Sequence, residues 1–231
     1  MTPLKTDPKP GQPLIRKAQA VYRTLQGFYG TPEWRQPLPP VDELVSTILS
    51  QNTNDTNRDV AYISLKERFP GWEAVCLAPP QHVIDAIRPA GLANQKGPRI
   101  QSILKQIAEE RGSISLDFLA SWDRDAAHAF LSQFKGVGPK TAAIVLQFSL
   151  GIPAFPVDTH IYRVSGRLGL RPNDMDVARA HAWLETLFTP QQYGPGHLNL
   201  IRLGREICQA RKPLCLACPL RRLCDFFKES G

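Results

Sequence analysis

Two residues eighteen positions apart, Lys140 and Asp158, have the types and local settings that nucleophilic chemistry at a carbon atom needs. Lys140 lies in FKGVGPKTAAIVL, after a Gly-x-Gly turn and at the second position of a helix that Pro139 is suited to open. The positive end of a helix dipole disfavours an ammonium there, and a lysine must be neutral to attack. Asp158, in PVDTHIYRV, precedes a helical pattern carrying Ile161 and Val164. As an N-cap it would present an ionised carboxylate, suited to stabilising developing positive charge or accepting a proton. Each also has a plainer explanation: a phosphate contact for Lys140, a helix cap for Asp158.

The turn ahead of Lys140 has a chemistry of its own. Gly136 and Gly138 permit positive φ and close approach of another backbone, and the free N–H groups of a helix start bind anions, so the stretch can cradle a phosphate. An ordinary Gly-rich inter-helix turn has the same local look. His160, two residues beyond Asp158, is read as a contact residue at most. Ser50 to Asp55, SQNTND, closes one helix with amides and can open another; its amides serve either as caps or as a finger filling a gap in base stacking.

Four of the five cysteines fall in CQARKPLCLACPLRRLC, spaced C-x6-C-x2-C-x5-C. Clustered cysteines in an intracellular protein bind metal more readily than they pair. The segment contains no histidine and lacks the paired C-x2-C units of most zinc ribbons, so spacing alone points to a metal–thiolate site and leaves the metal open. Cys76, far upstream, reads as a core residue. Residues 201–231 hold seven basic and three acidic side chains, which supply +4 of the chain's net charge of +7. Positive charge gathered beside the cysteines indicates an anionic partner.

Helices must position these groups. LIRKAQAVYRTLQGFYG, VDELVSTILSQN and IQSILKQIAEERG each repeat apolar residues at helical spacing, and no sustained two-residue alternation marks a strand. The periodicity predicts an all-α bundle of about ten helices, with TAAIVLQFSL, residues 141–150, buried in its middle. The prolines and charges of MTPLKTDPKPGQP are inconsistent with a secretory signal and indicate a disordered lead-in over residues 1–13. The longest apolar run, from Thr141, is interrupted and too short to span a bilayer. The expected protein is soluble, intracellular and free of membranes.

Together, GVGPKTA, VDTHIYRV and C-x6-C-x2-C-x5-C, in this order and spacing, resemble the endonuclease III family of DNA glycosylases from about Leu14 to Cys224. The resemblance implies a six-helix domain over 32–152 that contains a helix–hairpin–helix. A second domain, from 14–31 plus 153–231, would carry a [4Fe–4S] cluster, with DNA lying across the cleft between the two. Lys140 and Asp158 fall on the catalytic lysine and aspartate. Cys208, Cys215, Cys218 and Cys224 fall on the cluster ligands. Contacts to DNA are expected from Lys135, Gly136, Val137, Gly138 and Thr141 of the hairpin, and from Gln51, Asn52, Thr159, His160, Arg211 and Lys212.

The implied activity is bifunctional. An oxidised pyrimidine is flipped from double-stranded DNA, Lys140 displaces it at the sugar C1′, and the Schiff base undergoes β-elimination, nicking 3′ of the abasic site. A monomer acting in the cytoplasm, at the nucleoid in a bacterium, is expected, on DNA holding damaged pyrimidines or abasic sites. Two positions depart from the family: Asn52 stands where a glutamine usually fills the space of the flipped base, with Gln51 adjacent, and Lys135 stands where a proline is common. GLANQKGPRI is expected to supply a second intercalating loop. The alternatives are a mismatch glycosylase of the same superfamily, against whose adenine-specific branch Lys140 argues, and a non-enzymatic DNA-binding module with a structural metal.

Overall fold

The computed structural model describes residues 9–32 and 35–229, so residues 1–8 of the expected lead-in lie outside the described residues. The all-α expectation holds, and no strand occurs among the described residues. Twelve α-helices occur among the described residues. The extra ones include α4 (Trp72–Leu77), α5 (Pro80–Ala86) and α12 (Asp225–Glu229), which are too short to display an apolar period. No helix among the described residues is long and apolar enough to cross a membrane.

The chain divides into two compact units, one formed by residues 36–152 and the other by residues 1–35 together with 153–231. In the first, α2 (Pro40–Ser50) packs on α3 (Asp55–Arg68) and α8 (Pro139–Phe148), while α6 (Ala93–Arg111) packs on α4 and α5. As expected, α8 is buried over Thr141–Leu146 and at Phe148. Helix α2 is buried more completely, at every position from Pro40 to Leu49, although Asp42, Glu43, Ser46 and Thr47 are polar.

A buried carboxylate is tolerated only with donors around it. Asp42 has three: Tyr62 donates its hydroxyl at 2.6 Å, Trp72 its indole N–H at 2.9 Å and Lys66 its ammonium at 3.1 Å. One side chain thus ties α2 to α3 and α4. A run of edge-to-face rings, Phe118, Trp122, Phe130 and Phe134, with adjacent centroids 5.3–5.6 Å apart, anchors α7 (Arg124–Ser132) and the start of the turn that follows it.

In the second unit, α1 (Gln12–Tyr29) ends at Gly30, whose φ of 80° is available to glycine at little cost. It buries Ala18, Val21 and Leu25 against a core shared with α9 (Thr159–Arg167), α10 (Val177–Glu185) and α11 (Tyr193–Glu206). Phe28, on the predicted stripe, is instead 53% exposed. Phe155 stacks on Phe188 at 5.3 Å between centroids, and Lys17 pairs with Asp225 at 2.7 Å, joining α1 to α12.

Replacing Asp42 with alanine removes the acceptor of the buried Trp72 indole N–H and of the half-buried Tyr62 hydroxyl, while the exposed Lys66 ammonium is left in water. The expected loss is about 1–3 kcal/mol of unfolding free energy, measured by urea denaturation, whereas a surface change such as Lys105→Ala costs under about 0.5 kcal/mol.

Candidate active site

Lys140 is half-buried at the second position of α8. No side chain caps this helix, whose N-cap is Gly138 and whose first residue is Pro139. Of the two turn glycines only Gly136 has positive φ, 88°, while Gly138 is extended. A Cβ on Gly136 would lie 2.5 Å from Arg99 Nε, so a guanidinium rests directly on the turn. Lys135, Gly136 and Gly138 are exposed; the side chains of Val137 and Thr141 are 5% and 4% exposed and belong to the core. The last two can offer an outside partner only their backbone.

The end of α2 meets this turn. Gln51 donates its amide to the Gly136 carbonyl at 3.2 Å, and its side-chain oxygen accepts from Arg99 at 3.1 Å. Asn52 follows, exposed, with φ of 53°. The Ala90–Leu92 segment lies in the same unit, where Leu92 caps α6 in the left-handed conformation with φ of 50° and is 48% exposed. Non-glycine residues in this region carry strain of about 1–2 kcal/mol. Beneath both segments lies Lys96, 2% exposed, donating to the carbonyls of Leu49 at 2.7 Å and Ala90 at 2.8 Å. Burial, with a smaller contribution from Arg99, lowers its pKa to about 8.

In the other unit, Asp158 is a true N-cap: its carboxylate accepts the Ile161 N–H at 2.7 Å, as expected. Thr159 is exposed, whereas His160 is half-buried, bonded to Arg163 at 3.1 Å and packed on Gly204. The helix that Asp158 begins also holds the cysteine segment. Arg163 donates to the carbonyls of Gly204 and Cys208, and Arg167 donates to Cys208 Sγ at 3.4 Å and to the carbonyls of Gln209 and Ala210.

The four clustered cysteines, with Arg167 and Arg221 among their neighbours, line one small cavity of about 20 Å³. Burial first, then the neighbouring thiols, pushes the Cys218 and Cys224 thiols up. Among the described residues no group of three or more His, Cys, Asp or Glu side chains is arranged as a ready metal site. Arg211 and Lys212 are exposed between Cys208 and Cys215, with Lys212 at φ of 54°. Cys76, in α4, is half-buried and apart from this group in sequence and unit.

Arg99, Lys96, Leu92, Arg163 and Arg167 were not singled out by the sequence. One signal existed for Lys96: the apolar stripe Ile100, Ile103, Leu104, Ile107 extends four residues back onto it. A cation on a core-facing stripe calls for buried acceptors. The arginines gave none, because the Gln51 side chain that Arg99 holds and the carbonyls that Arg163 and Arg167 hold lie more than forty residues away in the chain.

Comparison with known proteins supplies a family. The description "HhH-GPD superfamily base excision DNA repair protein" matches residues 45–188. Endonuclease III of Thermotoga maritima is 34% identical over 83% of this chain and 85% of its own length. An Arabidopsis thaliana protein, At3g47830, is 40% identical over 62% of this chain, and the chain spans about half of it, 49%. A solved endonuclease III–DNA covalent intermediate shares 26% identity, with a TM-score of 0.80 over 94% of this chain and 98% of that one. The helical fold, the hairpin before Lys140 and these matches agree: the chain belongs to the endonuclease III family within the HhH-GPD superfamily of base excision DNA repair proteins.

Proposed function

We propose that this chain is a base excision repair DNA glycosylase with AP lyase activity, and that Lys140 is its nucleophile. The observation that carries the assignment is a half-buried lysine on the second residue of an uncapped helix, directly after a turn with a left-handed glycine. The uncapped N–H groups of α8 and the side chain of Lys135 bind phosphates of the lesion strand and bring the sugar to Lys140. The neutral amine attacks C1′ and forms a C–N bond, and the damaged base leaves with the electron pair of its glycosidic bond. Opening of the sugar ring then gives the iminium. Loss of a C2′ proton expels the 3′ phosphate, which nicks the strand.

Asp158 stabilises the positive charge that grows on the sugar, or carries a proton, from its position at the start of α9. Oxidised pyrimidines are the proposed lesions. The base must leave the stack before attack, and Gln51, Asn52 and the exposed Leu92 are the groups that replace it. Leu92 gives the second intercalating loop an apolar tip. Thr159, His160, Arg211 and Lys212 add contacts to the backbone.

Cys208, Cys215, Cys218 and Cys224 are the proposed ligands of a [4Fe–4S] cluster. Four thiols around one cavity, with Cys208 and Cys215 raising the cost of ionising Cys218 and Cys224, fit a group whose positive charge offsets that repulsion. Its contribution would be structural, fixing the loop that presents Arg211 and Lys212. Protein purified without oxygen is expected to be yellow-brown with iron and sulfide bound. A colourless preparation holding one zinc ion would contradict this.

For the activity itself, cutting of a duplex oligonucleotide containing one oxidised thymine is the direct assay. Lys140→Ala is expected to lower the cutting rate on the order of 10⁴-fold or more with folding retained. Cutting at the wild-type rate by this variant would refute the assignment.

A further inference from the structure

Lys96 takes no part in the chemistry above, yet it is among the largest fully buried side chains of the protein. An unpaired buried ammonium is strongly unfavourable, so its partners state its purpose. Both are main-chain carbonyls at the bases of loops. Leu49 lies two residues before Gln51 and three before Asn52; Ala90 lies two residues before Leu92. A methionine would fill much the same volume. It could not hold two carbonyls from separate segments within 3 Å of one nitrogen.

Further out, the same helix acts again. Arg99, one turn along α6 from Lys96, holds the Gln51 side chain and covers Gly136 of the hairpin. Asn52 and Leu92, in the two segments whose bases Lys96 joins, are two of only three non-glycine residues with positive φ among the described residues. Strained loop tips keep their shape only where the surrounding structure overdetermines them. Here the contact common to both segments is the buried Lys96 ammonium.

We propose that Lys96 is a positioning residue for nucleotide extrusion: its ammonium locks the bases of the Gln51–Asn52 and Leu92 loops together so that both tips enter the duplex in register. The inference rests on the glycosylase and lyase reading. Lys96 itself touches no substrate. Its removal therefore affects work done on a stacked duplex and spares attack at a sugar that is already accessible.

The test uses the full chain carrying Lys96→Met and two substrates: a duplex with one oxidised thymine, and a single-stranded oligonucleotide with an abasic site, where no stack must be opened. 2-Aminopurine beside the lesion reports unstacking, and borohydride trapping reports Schiff-base formation. On the duplex, the expected result is loss of the fluorescence rise and about a hundredfold slower excision, the scale of a misplacement near 1 Å, with single-strand trapping within about twofold of wild type. Equal losses on both substrates, or no loss on the duplex, would overturn the proposal, since a purely structural lysine lowers both together. Should Lys96→Met fail to fold, Lys96→Gln, which is too short to reach both carbonyls at once yet keeps a polar group in the core, is judged by the same ratio. Wild-type protein that traps no abasic DNA would instead refute the lyase reading, and this inference with it.

Discussion

Burial of helix α2 from Pro40 to Leu49 is the constraint on which the 36–152 unit depends. A helix with no wet face cannot leave its polar groups and terminal carbonyls to solvent, so neighbouring elements must supply partners. Near the N-terminal end Asp42 collects donors from α3 and α4, an arrangement that also places negative charge at the positive pole of the helix. At the C-terminal end the Lys96 ammonium meets the Leu49 carbonyl, with the opposite sign at the opposite pole. What satisfies α2 also sets where its exit, Gln51 and Asn52, can lie relative to Leu92 and Gly136. Stability and function therefore share the same hydrogen bonds.

The other unit solves a similar problem with arginine. Helix α9 starts at Asp158 and ends near Arg167, and its two arginines grip carbonyls on either side of Cys208. A planar guanidinium can bond several carbonyls at once, which a lysine cannot do in a fixed plane. The carboxylate proposed to stabilise charge, Asp158, and the cysteine loop are consequently fixed to one short helix. Changes in the loop would be felt at Asp158 through nine residues of helix and through no solvent-exposed linker.

The sequence made some of this visible and hid the rest for identifiable reasons. Helical periodicity revealed α1 and α6, and unbroken apolarity revealed the helix that Pro139 begins, because most of their core residues lie where the pattern puts them. It missed the depth of α2, since Asp42, Glu43, Ser46 and Thr47 read as a solvent face; Asp42 meets its donors only twenty or more residues away, while Thr47 bonds Glu43 within the helix. The cap role of Asp158 was legible because it is local, spanning three residues. The hairpin glycines were legible as a pair, but only the structure shows that position 136 alone takes positive φ, with the Arg99 side chain lying over it. Leu92 resembled an ordinary loop leucine, and its left-handed backbone is set by packing that no spacing rule encodes.

The central claim is that Lys140, presented by the uncapped start of α8, forms the covalent bond to the sugar. Its most direct test is to reduce the reacting complex on abasic DNA with borohydride, digest it and locate the attached deoxyribose remnant by mass spectrometry. The adduct is expected on the peptide containing Lys140 and on the side chain of that residue. An adduct on another lysine or on the N-terminal amine, with Lys140 unmodified, would contradict it.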